Sequence, residues 1–201
     1  MAGRRGGQAA GRLAAALLAG ALLAGCGDGA RQFKLTDVTG AKFGRELALA
    51  DHDGRARTLA DFRGKVVALF FGFTQCPDVC PTTLGDLAAV MKELGERSGG
   101  VQVLFVTLDP ERDTPAVLKQ YVSAFHPAFL GLHGDAEAIA RTAGEFKVFY
   151  QKQPAAAGGY SLDHTAGIYL FDRQGRLRVF APQGQEAAAL LHDIRLLLSG
   201  A

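Results

Sequence analysis

One strand–turn–helix unit constrains this chain more than any other stretch. Val66-Val67-Ala68-Leu69-Phe70-Phe71 is apolar without a break, the pattern of a strand covered on both faces in a parallel sheet. Gly72 ends the run, and Leu84, Leu87, Ala88, Met91 and Leu94 then recur at helical spacing. Pro81 suits a first helical turn, where its missing N–H costs nothing, so the helix is expected to start at or near Cys80. Cys76 and Cys80 occupy the turn between. The partial positive charge of a helix N-terminus favours a thiolate there. Four helical residues rise only about 6 Å, which is also within reach of a disulfide. The pair can therefore hold one soft metal ion when reduced or cross-link when oxidised.

The rest of the chain supplies a mixed sheet. Segments around Asp51-His52-Asp53-Gly54 and Asp172-Arg173-Gln174-Gly175 read as two hairpins. Val101–Leu108 is a second buried strand. Thr114 and Pro115 mark the N-cap and first turn of a helix to about Phe125. A short strand is expected at 129–132, a helix at 135–145, an extended segment at 147–153, a loop at 154–159 and a closing helix at 186–198. No internal repeat stands out. Hairpin, then strand–helix–strand–helix, then a further hairpin and helix resembles an α/β, thioredoxin-like fold with an N-terminal β-hairpin extension.

The N-terminus reads as targeting. Arg4, Arg5 and Arg12 precede Leu13–Ala24, twelve apolar residues, short for a membrane span. Leu23-Ala24-Gly25-Cys26 resembles a lipobox, with Cys26 as the lipidated residue; an uncleaved anchor is the alternative. The expected organisation is a signal at 1–25, a tether at 26–42 and one domain at 43–201. Without residues 1–25, Lys and Arg fall from 22 to 19 against 20 Asp and Glu, which leaves no basic field for nucleic acid. An exported domain would then carry two cysteines in an oxidising compartment, and a bridge closing so small a loop would staple almost nothing.

A stable site for Cu(II) or Zn(II) wants more than two thiolates. Beyond the signal only Met91 offers a thioether, from a helix face, so imidazole is the remaining candidate. His52 lies at a hairpin tip, His126 before Pro127, His133 beside glycine and His192 on the last helix, all readable as solvated or structural. His164, in Asp163-His164-Thr165, opens the apolar run expected to lie antiparallel to the cysteine strand, at the end of the sheet where the cysteines sit. Asp163 either orients His164 or shapes a turn. Asp78 either influences the metal or a partner, or bonds backbone amides at the helix start. Asp109 either forms a turn before Pro110 or supports the site from behind.

FTQCPDVCPTT at 73–83, VTLDPERDTP at 106–115 and DHTAGIYLFD at 163–172 together resemble the Sco (SenC-type) family of copper chaperones, from about Phe43 to the C-terminus. The resemblance implies copper bound by Cys76, Cys80 and His164, one ion per domain. It further implies delivery to, or thiol reduction of, the binuclear copper centre on the copper-binding subunit of cytochrome c oxidase, with other periplasmic copper carriers as possible partners. It implies a domain on the periplasmic face of the bacterial inner membrane, here anchored through Cys26. A narrow thiol–disulfide reductase acting on the oxidase cysteines is the rival reading. A general oxidoreductase is disfavoured because the chain has no Trp and an extra residue between its cysteines. A peroxidase is disfavoured because Pro77 stands where peroxiredoxins place a Thr.

Overall fold

In the computed structural model the described residues are Met1, Gly3, 32–155 and 158–200; Cys26 and the expected signal lie outside them. The elements in chain order are β1 (Thr36–Asp37), β2 (Leu49–Asp51), β3 (Ala56–Arg57), β4 (Val66–Gly72), α1 (Val79–Leu94), β5 (Val101–Thr107), α2 (Pro115–Phe125), β6 (Leu130–His133), α3 (Ala136–Glu145), β7 (Tyr150–Pro154), β8 (Tyr160–His164), β9 (Gly167–Phe171), β10 (Leu177–Pro182) and α4 (Ala187–Leu198).

The main sheet has the order β1-β10-β9-β4-β5-β6-β2-β3. β4, β5 and β6 are parallel, and β9 runs antiparallel to β4 with Val67 opposite Phe171 and Phe70 opposite Ile168. Every residue of β4, β5 and β9 is buried, as their almost wholly apolar sequences favour. This is the thioredoxin-like α/β arrangement expected, with the β2–β3 hairpin added at one edge. The antiparallel β9 starts at the end of the sheet where β4 finishes, so the chain around His164 is brought to the cysteine turn.

The start of the cysteine helix agrees with expectation, and two other expectations change. The cysteine helix begins at Val79 with Asp78 in the N-cap position, so Cys80 is its second residue and Pro81 its third. Proline is tolerated there because the first-turn amides have no intrahelical acceptor. Tyr150–Pro154 and Tyr160–His164 form a separate two-stranded ribbon, β7 on β8, with Tyr150 opposite His164 and Pro154 opposite Tyr160. Its second strand, Tyr-Ser-Leu-Asp-His, has too few apolar residues to announce itself. The lead-in is docked from Leu35 on. Thr36 and Asp37 pair with Phe180 and Val179, and the buried Asp193 on α4 accepts the Lys34 and Leu35 N–H groups at 2.8 and 2.9 Å.

A short repeat is also present, as Asp-x-x-Gly-Arg-x-Arg at 51–57 and 172–178. In each turn the buried first aspartate accepts the N–H groups two and four residues on, between 2.9 and 3.0 Å, and an arginine six residues on. Gly54 and Gly175 take φ values of +82° and +78°, open to glycine without strain.

Candidate metal centre

Gly72, the last residue of β4, lies directly under Cys80. A Cβ there would stand 2.7 Å from the Cys80 sulfur and 2.8 Å from Phe105, so only glycine lets the thiol settle onto the strand end. Cys80 is fully buried and Cys76 is half-buried; both are free thiols. The Cys80 N–H, one of the unpaired amides of the α1 N-terminus, points at the Cys76 sulfur at 3.4 Å.

This places the two thiols in opposite electrostatic situations. A hydrogen bond from the Cys80 thiol, then the Cys80 and Asp78 backbone amides, holds the Cys76 pKa down to about 5. The same shared proton and deep burial push the Cys80 thiol upward. Cys76 is thus the thiolate of the pair at neutral pH and Cys80 its proton donor, as a helix N-terminus with one exposed and one buried sulfur favours.

His164, at the end of β8, completes the group. Its Nε2 lies 3.9 Å from the Cys80 sulfur. Its Nδ1 lies 2.9 Å from the Thr165 carbonyl oxygen, which can only accept, so Nδ1 carries the proton and Nε2 presents a lone pair to the sulfurs. The ring stands edge-on to Phe73 and Phe70, with centroids 6.0 and 6.5 Å away. The Cys76, Cys80 and His164 ligand atoms all fall within 4.8 Å of one another, the one such group of three among the described residues. Two sulfurs and an imidazole nitrogen so placed can take a single soft ion. The group opens on a cleft of about 390 Å³ lined by Pro77, Asp78, Val79, Leu162, Asp163 and Gln183 among others.

The three aspartates are arranged differently. Asp78 is exposed; its backbone carbonyl accepts the Thr82 N–H at 3.1 Å, and its carboxylate lies 3.4 Å from the Thr82 hydroxyl. Asp163 is exposed at the cleft rim, and the Thr165 carbonyl fills the orienting role considered for it. Asp109 is buried, and it accepts Arg112 Nε and, at 2.7 Å, the Tyr160 hydroxyl. Sequence reasoning missed Arg112, Asp113 and Tyr160 as individuals. Asp113 is buried, accepts the Thr74 amide and hydroxyl and the Thr107 hydroxyl, and has its pKa raised by burial. The signal available was the largely polar run Asp109–Thr114 just after a fully buried strand.

The other histidines stay out of this group. His52 is not merely solvated at its hairpin tip: its Nδ1 accepts the Gly131 N–H at 3.1 Å. His192 Nδ1 lies 2.8 Å from Asp193.

The SCO1/SenC family model matches residues 35–199. A mitochondrial SCO2 homologue from Bos taurus is 42% identical over 153 residues, 75% of this chain and 58% of its own length; the chain thus spans under two thirds of that relative. The copper-bound structure of ScoI from Bradyrhizobium japonicum superposes with a TM-score of 0.71 at 39% identity, covering 79% of this chain and all of that one. The solution structure of apo Sco1 from Thermus thermophilus gives 0.73 at 42% identity, covering 83% and 98%.

Proposed function

Because the chain belongs to the SCO1/SenC family, we propose that it is a copper chaperone, holding one copper ion through Cys76, Cys80 and His164 and passing it to the binuclear copper centre of cytochrome c oxidase. The observation that carries this reading is the convergence of two sulfurs and a tautomer-fixed imidazole nitrogen within 4.8 Å. Soft thiolates suit Cu(I), and the imidazole makes Cu(II) acceptable as well. A three-donor set leaves the ion open on the cleft side, where a partner's ligands can displace the chaperone's one by one. In this reading copper is cargo, and what the chain contributes is donor placement, a thiolate ready at neutral pH and a rim of exposed Asp78 and Asp163. The oxidase subunit that accepts the ion is the expected partner. Anchoring through Cys26 on the periplasmic side of the inner membrane completes the proposal.

The test is copper stoichiometry and thiolate-to-copper absorption on the purified protein and on Cys76→Ala, Cys80→Ala and His164→Ala. One copper per chain, with the absorption lost in each variant, is expected. A His164→Ala protein that binds Cu(II) as the parent does would refute the ligand assignment.

A second reading, reductase of the oxidase cysteines, is favoured by one observation. Cys76 is a half-exposed thiolate backed by a buried thiol four residues on, the arrangement of an attacking and a resolving cysteine. It predicts reduction of a partner disulfide without copper and without dependence on His164.

A further inference from the structure

The proposed ligands stand on two separately supported parts. The cysteines belong to the β4–α1 turn of the main sheet, whereas His164 ends a ribbon that pairs with no strand of that sheet. Beyond the two-residue link from His164 to Gly167 of β9, their spacing is held by side chains. The loop that follows β5, Asp109-Pro110-Glu111-Arg112-Asp113, reaches both parts.

Toward the ribbon, Asp109 accepts the Tyr160 hydroxyl at 2.7 Å, and Arg112 Nη1 donates to the Tyr160 carbonyl at 2.8 Å. The Arg112 guanidinium lies 3.8 Å from the centroid of the Tyr160 ring, close enough for a cation–π contact. Glu111 pairs with Lys152 of β7 at 2.7 Å. Toward the cysteine turn, Arg112 Nη1 donates to Gln75 Oε1 at 2.9 Å, next to Cys76. Asp113 receives the Thr74 amide at 3.0 Å and the Thr74 hydroxyl at 2.5 Å. Arg112 touches both: Gln75 on one side, Tyr160 on the other, with Asp109 beneath. Its Nη2 is buried with no hydrogen-bond partner among the described residues. Burying an unsatisfied donor costs free energy, so a side chain kept for stability alone would be better replaced by an apolar one.

We propose that the Asp109–Asp113 loop sets the distance between His164 and the cysteine pair, and that Arg112 is the positioning residue that keeps the imidazole in the ligand set. The proposal rests on His164 being a copper ligand. Loss of Arg112 leaves the β4–α1 turn and its two sulfurs in place but frees the ribbon to swing, so retention of Cu(II), which needs the imidazole, falls much further than retention of Cu(I), which two thiolates satisfy.

The experiment compares Arg112→Gln, Tyr160→Phe and His164→Ala, with Arg112→Gln/His164→Ala, by competition titration with Cu(I) and Cu(II) chelators and by thiolate-to-copper(II) absorption. Arg112→Gln should weaken Cu(II) binding on the order of 10–100-fold, the usual effect of losing a residue that orients a metal ligand. Cu(I) binding should change little, and the effect should vanish in the His164→Ala background. Tyr160→Phe keeps the ring and removes only the hydroxyl contacts to Asp109 and Glu111, so it preserves the fold and should show a smaller loss of the same kind. Equal losses with and without His164, or none from either variant, would overturn the proposal. If His164→Ala alone leaves Cu(II) affinity and absorption intact, the ligand assignment itself has failed and the proposal falls with it, a pattern distinct from the first.

Discussion

Gly72→Ala is the sharpest perturbation the geometry allows. The added methyl would lie 2.7 Å from the Cys80 sulfur, 2.8 Å from Phe105 Cε2 and 3.2 Å from Phe70 Cε1. Ordinary contact distances are about 3.5–4.0 Å, so the sulfur and the Phe105 ring must each give way by about 1 Å. Both are fully buried, and crowding a packed core in this way costs about 1–3 kcal/mol. In a domain of this size that lowers the melting temperature by roughly 2–12 °C. Metal sites hold their distances to about 0.2 Å, so displacing Cys80 that far should weaken copper binding as well. Urea unfolding of the copper-free protein, followed by copper titration, measures both. Gly85→Ala, on the open face of the same helix with nothing within 4 Å of its new methyl, is the control and should stabilise by about 0.5–1 kcal/mol. A Gly72→Ala protein as stable as its parent, with parental copper affinity, would show that Cys80 does not rest against the strand end.

Two further outcomes follow from the charge pattern. Alkylation of Cys76 should stay fast down to mildly acidic pH and fall as pH drops through about 5, because only the thiolate reacts. Cys80 should label far more slowly, and a Cys76 midpoint near the ordinary thiol value of about 8.5 would contradict the helix-end account. Asp193→Ala removes the acceptor for the Lys34 and Leu35 amides; a loss of about 1–3 kcal/mol with new protease cleavage in residues 32–38 is expected, and an unchanged cleavage pattern would count against the docking.

Much of the frame was legible because apolar runs carry it. The continuous run at 66–71 and the almost wholly apolar one at 101–108 became the buried parallel pair β4 and β5, and the Thr-Pro and Asp-Gly signals marked α2 and the first hairpin. His164 was reachable because β9, which starts three residues after it, runs antiparallel to β4 and so begins at the cysteine end of the sheet. The ribbon was not, because β8 is held by polar contacts from a distant loop, which leave no periodicity. Arg112 and Asp113 were hidden for the same reason: polar residues after a strand look like any turn until the fold shows what they touch. His52 was misjudged because its partner, the Gly131 amide, is 79 residues away.

The twin aspartate-centred turns bear on how the chain assembles. The aspartate carboxylate of each corner, Asp51 or Asp172, gathers its hydrogen bonds within six residues, so this part of the turn closes in a nanosecond-to-microsecond event. One corner lies in each half of the polypeptide, and each presets the register of its own hairpin. What is left for the slow search is the long-range meeting of β4, β5, β6 and β9. Damage to either corner should therefore reach the refolding rate well before it reaches the chemistry of the sulfurs.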